Sequence, residues 1–463
     1  LMMKVLYCLR NINIFNYHES IIENLSDNGH IVKIIFSNNN SVNENSMDPN
    51  PEERINNLNN VSFKYLSPKR NLIQKINFIT REIKNYQRYF NRSYKEDSQH
   101  SFYQERWAKY LPIFIRFIFT RTPIFKLNVT IRLVEVLFNF IEKVSGSPRT
   151  HKKIINDFEP DIIIGSPGNL RYSEEIDFIK YGKSKNILTI LFVLTWDNLT
   201  TKGGFNIIPD KFFAWNKYHE NELIKHHKID KTKIEICGSP FFDKWFSKKY
   251  ENYNANWFNK VFKLTKDHRY LIYLGSSSNL GRNDGEVINE ILKKLKKDLL
   301  KNVILIIKPH LTNQSYLKNF EGMDNVRLWK NDYSKNWIDN QAMFKFGLLN
   351  AVCTIGLNTT AMIDSVINGC QVVSIIFNKN IHEPTNSAIH FKTMIEAKVY
   401  NFIDNFNDFE YEIINISDYK ESFDNKRKNF IKNFVRPIGI NVEVGEIVRA
   451  KMENLLSKSN ENN

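Results

Sequence analysis

Short apolar runs rich in Val, Ile and Leu recur along the chain, separated by longer stretches with helical spacing. A strand buried on both faces is apolar throughout, whereas a half-solvated strand alternates. The pattern therefore predicts parallel sheets covered by crossover helices, an α/β fold. A first series comprises Val5–Leu9, Ile31–Phe36, Val61–Leu66, Asp161–Gly165, Ile187–Thr195, Lys211–Trp215 and Lys233–Gly238. A second comprises Tyr270–Gly275, Val303–Ile307, Ala351–Ile355 and Val372–Phe377. Between the first two strands, Tyr17–Asn28 reads as a helix closed by Gly29. The chain has 463 residues, too many for one ordinary core. The expected organisation is two doubly wound domains facing each other across a cleft. The first spans 1–245 with a helical insertion over about 70–150, followed by a linker over 246–268. The second spans 269–420, and a helical segment over 421–463 packs back, with a frayed polar end from Ser457. The Asn/Ser-rich stretch Ser37–Asn60 reads as a loop.

Charge narrows the partners. The formal net charge is +15, which suits phosphate-bearing donors, anionic lipid or nucleic acid, or else is a diffusely solvated surface. No zinc-finger, RNP-like or RGG motif is present, so no nucleic-acid partner is expected. Cys8, Cys237, Cys353 and Cys370 lie in or beside apolar runs without a Cys-x-x-Cys pair, and read as buried thiols. The opening residues read as a strand and not as a secretion signal, and no uncharged apolar run is long enough to span a bilayer. A cytoplasmic protein is expected, with the inner face of the plasma membrane as a possible station. Leu111–Phe140 mixes aromatics with Arg116, Arg121, Lys126 and Arg132. It reads as a core-facing amphipathic helical pair, with peripheral contact to an anionic membrane as the alternative.

Chemistry concentrates where strands end. Ala351–Asp364 is a strand, a Gly turn and a hydroxyl-rich helix start. Free N–H groups and a positive dipole end make such a start a phosphate site, with Asn358, Thr359 and Thr360 adding donors and Asp364 accepting ribose hydroxyls. The plainer reading is an ordinary N-cap. Gly275-Ser276-Ser277 is a second diphosphate candidate or a plain turn, and Lys308-Pro309-His310 closes another strand where open α/β sheets bind ligands. His390 is a further candidate pocket histidine. In the first half, Thr195–Gly204 follows an apolar strand. There Asp197 is a candidate base for an acceptor hydroxyl, beside Trp196, Asn198 and Lys202 as acceptor-binding residues. The alternative is that Asp197 only organises its own turn. His18 and Glu19 form a rival base pair at the cleft edge.

Taken in order, these residues resemble the CDP-glycerol glycerophosphotransferase-like branch of GT-B enzymes and related bacterial surface-polysaccharide proteins. The family's Thr-Trp-His-Gly-Thr-Pro-Leu-Lys resembles Thr195–Lys202, and its Gly-x-Pro-x-x-Asp resembles Gly238–Asp243. Its Arg/Lys-x-His-Pro resembles Lys308–His310, and its Ser-Ser helix start resembles Asn358–Thr360. The resemblance spans about 187–377. It implies a GT-B fold of two Rossmann-like domains, a nucleotide-activated donor in the second domain, and no obligatory metal or other cofactor. The family's His stands as Asp197 here, which keeps transfer chemistry but favours a sugar over glycerol phosphate. The expected function is a glycosyltransferase of surface-polysaccharide assembly, acting on a glycan or lipid-linked glycan acceptor. The alternatives are a UDP-GlcNAc 2-epimerase-like enzyme and a non-catalytic binder of anionic lipid or nucleic acid.

Overall fold

The computed structural model describes residues 2–37, 50–90, 100–278, 283–295, 302–330, 334, 336–376 and 388–461. Much of the loop expected after Ser37, and Phe377 at the end of an expected strand, lie outside them. The chain forms two compact units. One takes residues 1–42, 51–241 and 433–463, and the other takes 43–50 and 242–432.

The first unit is built on a seven-stranded parallel sheet in the order β3-β2-β1-β4-β5-β6-β7. Its strands are β1 (Lys4–Leu9), β2 (Ile31–Phe36), β3 (Val61–Tyr65), β4 (Ile162–Ser166), β5 (Leu188–Phe192), β6 (Lys211–Ala214) and β7 (Ile234–Ile236). Strand order reverses at β1 and β4, whose side chains are almost wholly buried, as a sheet covered on both faces requires. The helix Phe15–Asp27 stops where expected, with Gly29 at φ +76° and its N–H donating to the Ser26 carbonyl. The C-terminal helix Val444–Glu461 packs on it within this unit. A Cβ at Gly445 would collide with the Ser20 carbonyl, so that close approach requires glycine. Arg449 donates to Asn24 (2.8 Å), and Lys451 pairs with Glu235 of β7 (2.9 Å). The tail expected to fray from Ser457 is helical to Glu461, because it continues this packed helix.

The second unit has a six-stranded parallel sheet in the order β10-β9-β8-β11-β12-β13. Its strands are β8 (Arg269–Leu274), β9 (Val303–Lys308), β10 (Val326–Leu328), β11 (Cys353–Gly356), β12 (Val372–Ile375) and β13 (Asn401–Ile403). Order reverses between β8 and β11. The sequence reading lacks β10 and β13, short edge strands whose apolar residues are interrupted by Arg327 and led by Asn401. The stretch 246–268, read as a linker, is part of this unit. Phe258 on the helix Ala255–Val261 is buried against Phe262, Tyr270 and Trp329. Of the segment read as 421–463, the helix Lys420–Phe430 stays in this unit, and Arg427 donates to the Ile367 carbonyl (2.6 Å).

The insertion of the first unit is helical, as expected, with helices at Leu72–Arg88, His100–Tyr110, Ile113–Arg121 and Asn128–Ser145. A buried ionic network fastens it to the Rossmann helix Glu175–Ser184. Arg81 bridges Glu142 (2.6 Å) and Asp177 (2.8 Å), Lys180 reaches Glu142 (2.8 Å), and Arg70 binds Asp177 (2.8 Å) and Glu174. Three cations thus face three carboxylates. His151, Glu174 and Asp177 also lie close enough together to suggest a metal site, but arginines already occupy both carboxylates. Burial alone raises the Glu142 and Asp177 carboxyls, yet the adjacent cations overrule it and hold both at about 2. Because these folded values lie below the unfolded ones, their stabilisation is complete above about pH 5 and fades as pH falls toward 2. Arg81→Met removes the cation that Glu142 and Asp177 share, leaving Lys180 and Arg70 as their remaining partners, and is expected to cost about 1–3 kcal/mol in urea unfolding at pH 7. The penalty should shrink as pH is lowered toward 3, and a variant of wild-type stability would contradict this role.

Candidate functional site

In the second unit, parallel register sets the candidate residues side by side. Leu274 pairs with Lys308 of β9 on one flank and with Gly356 of β11 on the other. The three turns that follow, Gly275-Ser276-Ser277, Pro309-His310 and Leu357–Thr360, therefore leave the sheet from neighbouring positions at its carboxyl edge. This is also where strand order reverses, the place at which open α/β sheets take ligands.

The helix Thr360–Ile367 starts at this edge. Its N-cap Thr359 is extended (φ −141°, ψ 149°) and makes no side-chain capping bond. The Met362 N–H donates to the Thr359 carbonyl (3.0 Å), and the Thr359 hydroxyl caps none of the first-turn N–H groups. Asn358, Thr359 and Thr360 are partly exposed here. Asp364 is not: it is 6% exposed, and the Trp245 indole N–H donates to its carboxylate at 2.6 Å. Its position on the inner face of the helix removes it from the role of ribose acceptor. Burial raises its pKa, opposed by Lys244, Trp245 and Lys308.

Lys308 makes no ion pair within 4 Å among the described residues. Its ammonium lies 5.0 Å from the Phe344 ring centre and 5.8 Å from that of Trp329. Burial lowers its pKa to about 8, with Lys244 adding to the shift and Asp364 opposing it. It is therefore largely cationic at neutral pH. The Thr312 backbone N–H donates to His310 Nδ1 (3.2 Å), which leaves the neutral ring's proton on Nε2. Burial and Lys308 both lower the His310 pKa.

The Gly275 turn is held from below. Its N–H donates to the Lys308 carbonyl (2.8 Å), and a Cβ there would sit 2.8 Å from His310 N and 2.9 Å from Tyr316 Oη. Asp284, at the start of the helix Asp284–Leu295, accepts from Ser276 N (3.1 Å), the Tyr273 hydroxyl (2.8 Å) and Asn313 (3.2 Å). Burial outweighs these bonds and raises its pKa to about 7. Ser276 Oγ and Tyr316 Oη are buried hydroxyls without a hydrogen-bond partner among the described residues. Ser277 is partly exposed, and His390 is buried at the start of the helix Ile389–Ala397. Asp284, Asn313, Tyr316 and Trp245 are absent from the sequence reading. Asp284 alone carried a signal, as an acid opening the helix after a Gly-Ser-Ser turn.

In the first unit, Asp197 follows β5 and organises its turn. The Thr195 hydroxyl donates to Oδ1 (2.7 Å), the Thr201 hydroxyl donates to Oδ2 (2.9 Å), and Lys202 Nζ lies 3.5 Å away. Its side chain remains 25% exposed. Beneath it, Glu222 is buried, and burial together with the Asp197 charge raises its pKa to about 8. Two expected acceptor contacts are corrected: Trp196 is buried, and Asn198 is buried with its amide donating to Asn169 (3.0 Å). The expected edge pair His18 and Glu19 is also corrected. His18 is fully buried between Tyr7 and Phe192, with ring centres 5.7 and 5.2 Å away, and burial pushes its pKa down to about 3. Arg54 holds Glu19 (3.1 Å from Nε). The helix face packed on the sheet closes off His18, whereas Glu19 stays partly exposed and is engaged by Arg54.

No protein-family profile matches the chain, and no curated protein matches it. Solved structures do. The UDP-GlcNAc 2-epimerase of Neisseria meningitidis bound to UDP-GlcNAc is 11% identical, with 98% of this chain and 100% of that chain covered and a TM-score of 0.58. The Methanocaldococcus jannaschii UDP-GlcNAc 2-epimerase is 14% identical over 97% and 100% of the two chains, with a TM-score of 0.53. The wall teichoic acid polymerase TagF is 12% identical over 98% and 90%, with a TM-score of 0.47. The two epimerase likenesses show the fold, which is GT-B.

Gly275→Ala forces a methyl against the His310 backbone. It is expected to cost about 1–3 kcal/mol in thermal or urea unfolding. An unchanged midpoint would mean that the turn has slack the geometry does not show.

Proposed function

We propose that the protein is a GT-B-type glycosyltransferase that binds a nucleotide-activated sugar through its second unit. One observation carries this reading: the helix start at Thr359-Thr360, without a side-chain cap, stands beside the Gly275–Ser277 turn and the Lys308 cation where strand order reverses. A diphosphate needs backbone donors, a positive dipole end and a cation, and these three elements supply them together. Ser276 Oγ and Tyr316 Oη, unpartnered among the described residues, add donors. In this reading, Lys308 and the helix start stabilise the charge that develops on the departing nucleoside diphosphate. Asp197 is the proposed base that takes the proton of the acceptor hydroxyl, with Lys202 and the Thr195 and Thr201 hydroxyls fixing its carboxylate. The acceptor class, a surface glycan or a lipid-linked glycan precursor, rests on the motif resemblance around Thr195–Lys202.

A screen of nucleotide sugars by thermal shift tests the donor. The right one, well above its dissociation constant, is expected to add about 2–4 kcal/mol of stability. Lys308→Met should weaken it by about tenfold to a hundredfold. Affinity should fall as pH rises through 8, because an anion favours the protonated amine, and this dependence should vanish in the variant. Asp197→Asn should lower transfer by about 10²- to 10⁴-fold with donor affinity unchanged. Full turnover by that variant would remove Asp197 as base. An epimerised sugar nucleotide formed without any acceptor would replace transfer by epimerisation, and no shift with any nucleotide would overturn the donor site.

A further inference from the structure

The helical insertion carries an apolar surface that the described residues of its own unit leave uncovered. The helix Ile113–Arg121 buries none of its residues, and neither does the turn Pro123–Lys126. Ile113, Phe114 and Phe117 are 79, 74 and 65% exposed. The longer helix Asn128–Ser145 buries Phe138, Glu142 and Ser145 but leaves Leu133, Val136 and Phe140 at 62–68% exposure. A core-facing helical pair, the sequence expectation for this stretch, would bury these side chains. A run of exposed large apolar residues on a soluble domain marks an interaction surface.

Its charge identifies the partner. Arg121, Lys126, Arg132 and Lys143 are exposed among the apolar residues, and Arg116 is partly so. Within 113–145 the carboxylates are Glu135 and Glu142, and Glu142 is buried in the ionic network. Arg132 also lines a cavity of about 720 Å³ with Lys84, Arg88 and Lys228, which outnumber the one carboxylate there, Glu135. A two-fold dimer through this face would set one predominantly basic patch against another, with Glu135 as the exposed carboxylate of each, an arrangement that repels. A surface that is apolar in depth and anionic at its rim accepts both features at once. Among the described residues, no helix is long and apolar enough to cross a membrane.

We propose that this face docks on an anionic phospholipid bilayer, with the helices Ile113–Arg121 and Asn128–Ser145 lying in the interfacial plane. The apolar side chains enter the headgroup–acyl boundary, and the cations engage lipid phosphates. The proposal is independent of the donor-site reading.

Flotation of the full chain with vesicles tests it, comparing phosphatidylcholine alone with a phosphatidylcholine–phosphatidylglycerol mixture. Binding is expected to the mixed vesicles, and to weaken by about tenfold or more on pure phosphatidylcholine or at high salt. Phe114→Glu with Phe117→Glu should reduce it to a similar degree. So should Arg121→Glu with Lys126→Glu, a change that leaves the apolar residues in place. All four positions are exposed, so both variants should keep the wild-type melting curve. No binding to mixed vesicles would overturn the proposal. So would binding that both variants leave intact, or a self-associated species in sedimentation that Phe114→Glu with Phe117→Glu dissolves.

Discussion

The pairing of β8 with β11 is the constraint on which the second unit's chemistry rests. Neighbouring strands in a sheet stand about 4.8 Å apart, so residues in register across them share one locale. Leu274 in register with both Lys308 and Gly356 brings three chain segments, far apart in sequence, to one edge. A register slip of one residue would reverse the facing of every side chain on the strand and disperse that grouping. The glycine at 275 serves the same end, since a side chain there would push the β8 turn away from Pro309 and His310. Asp284 then fixes the turn from beneath through Tyr273, Ser276 and Asn313.

The first unit solves a different problem. Its insertion is too rich in outward-facing apolar and basic residues to be held by hydrophobic contact alone. The anchor is ionic: Arg70, Arg81 and Lys180 against Glu142, Glu174 and Asp177, buried where the attraction is strong and unpaired charge is costly. Fastening the insertion through its polar inner face leaves the apolar face of the helices Ile113–Arg121 and Asn128–Ser145 free to meet something else. Anchoring and exposure are thus two sides of one arrangement.

The sheets were legible in the sequence because strands buried on both faces are continuously apolar, as in Val5–Leu9 and Val303–Ile307. Edge strands such as Val326–Leu328 were not, since three residues containing an arginine leave no pattern. The candidate site divides in the same way. Lys308, Gly275 and the helix start at Thr359 were readable, because strand ends and helix starts have local signatures. Asp364 and Trp196 were misread, because which face of an element turns inward depends on partners such as Trp245, distant in sequence. His18 was misread for that reason too: its polarity suggested access, whereas Tyr7 and Phe192 enclose it. Asp284 and Tyr316 went unseen because their part is to support a turn made by other residues.

The proposed donor site puts a nucleotide's diphosphate where strand order reverses in the second unit. A crystal structure with the nucleoside diphosphate that most stabilises the protein tests it most directly. Phosphate oxygens are expected within hydrogen-bond distance of the backbone N–H groups of the first turn of the helix Thr360–Ile367, with the Lys308 ammonium close to the same phosphates. A nucleotide seated away from β8 and β11, with that helix start unengaged, would contradict it.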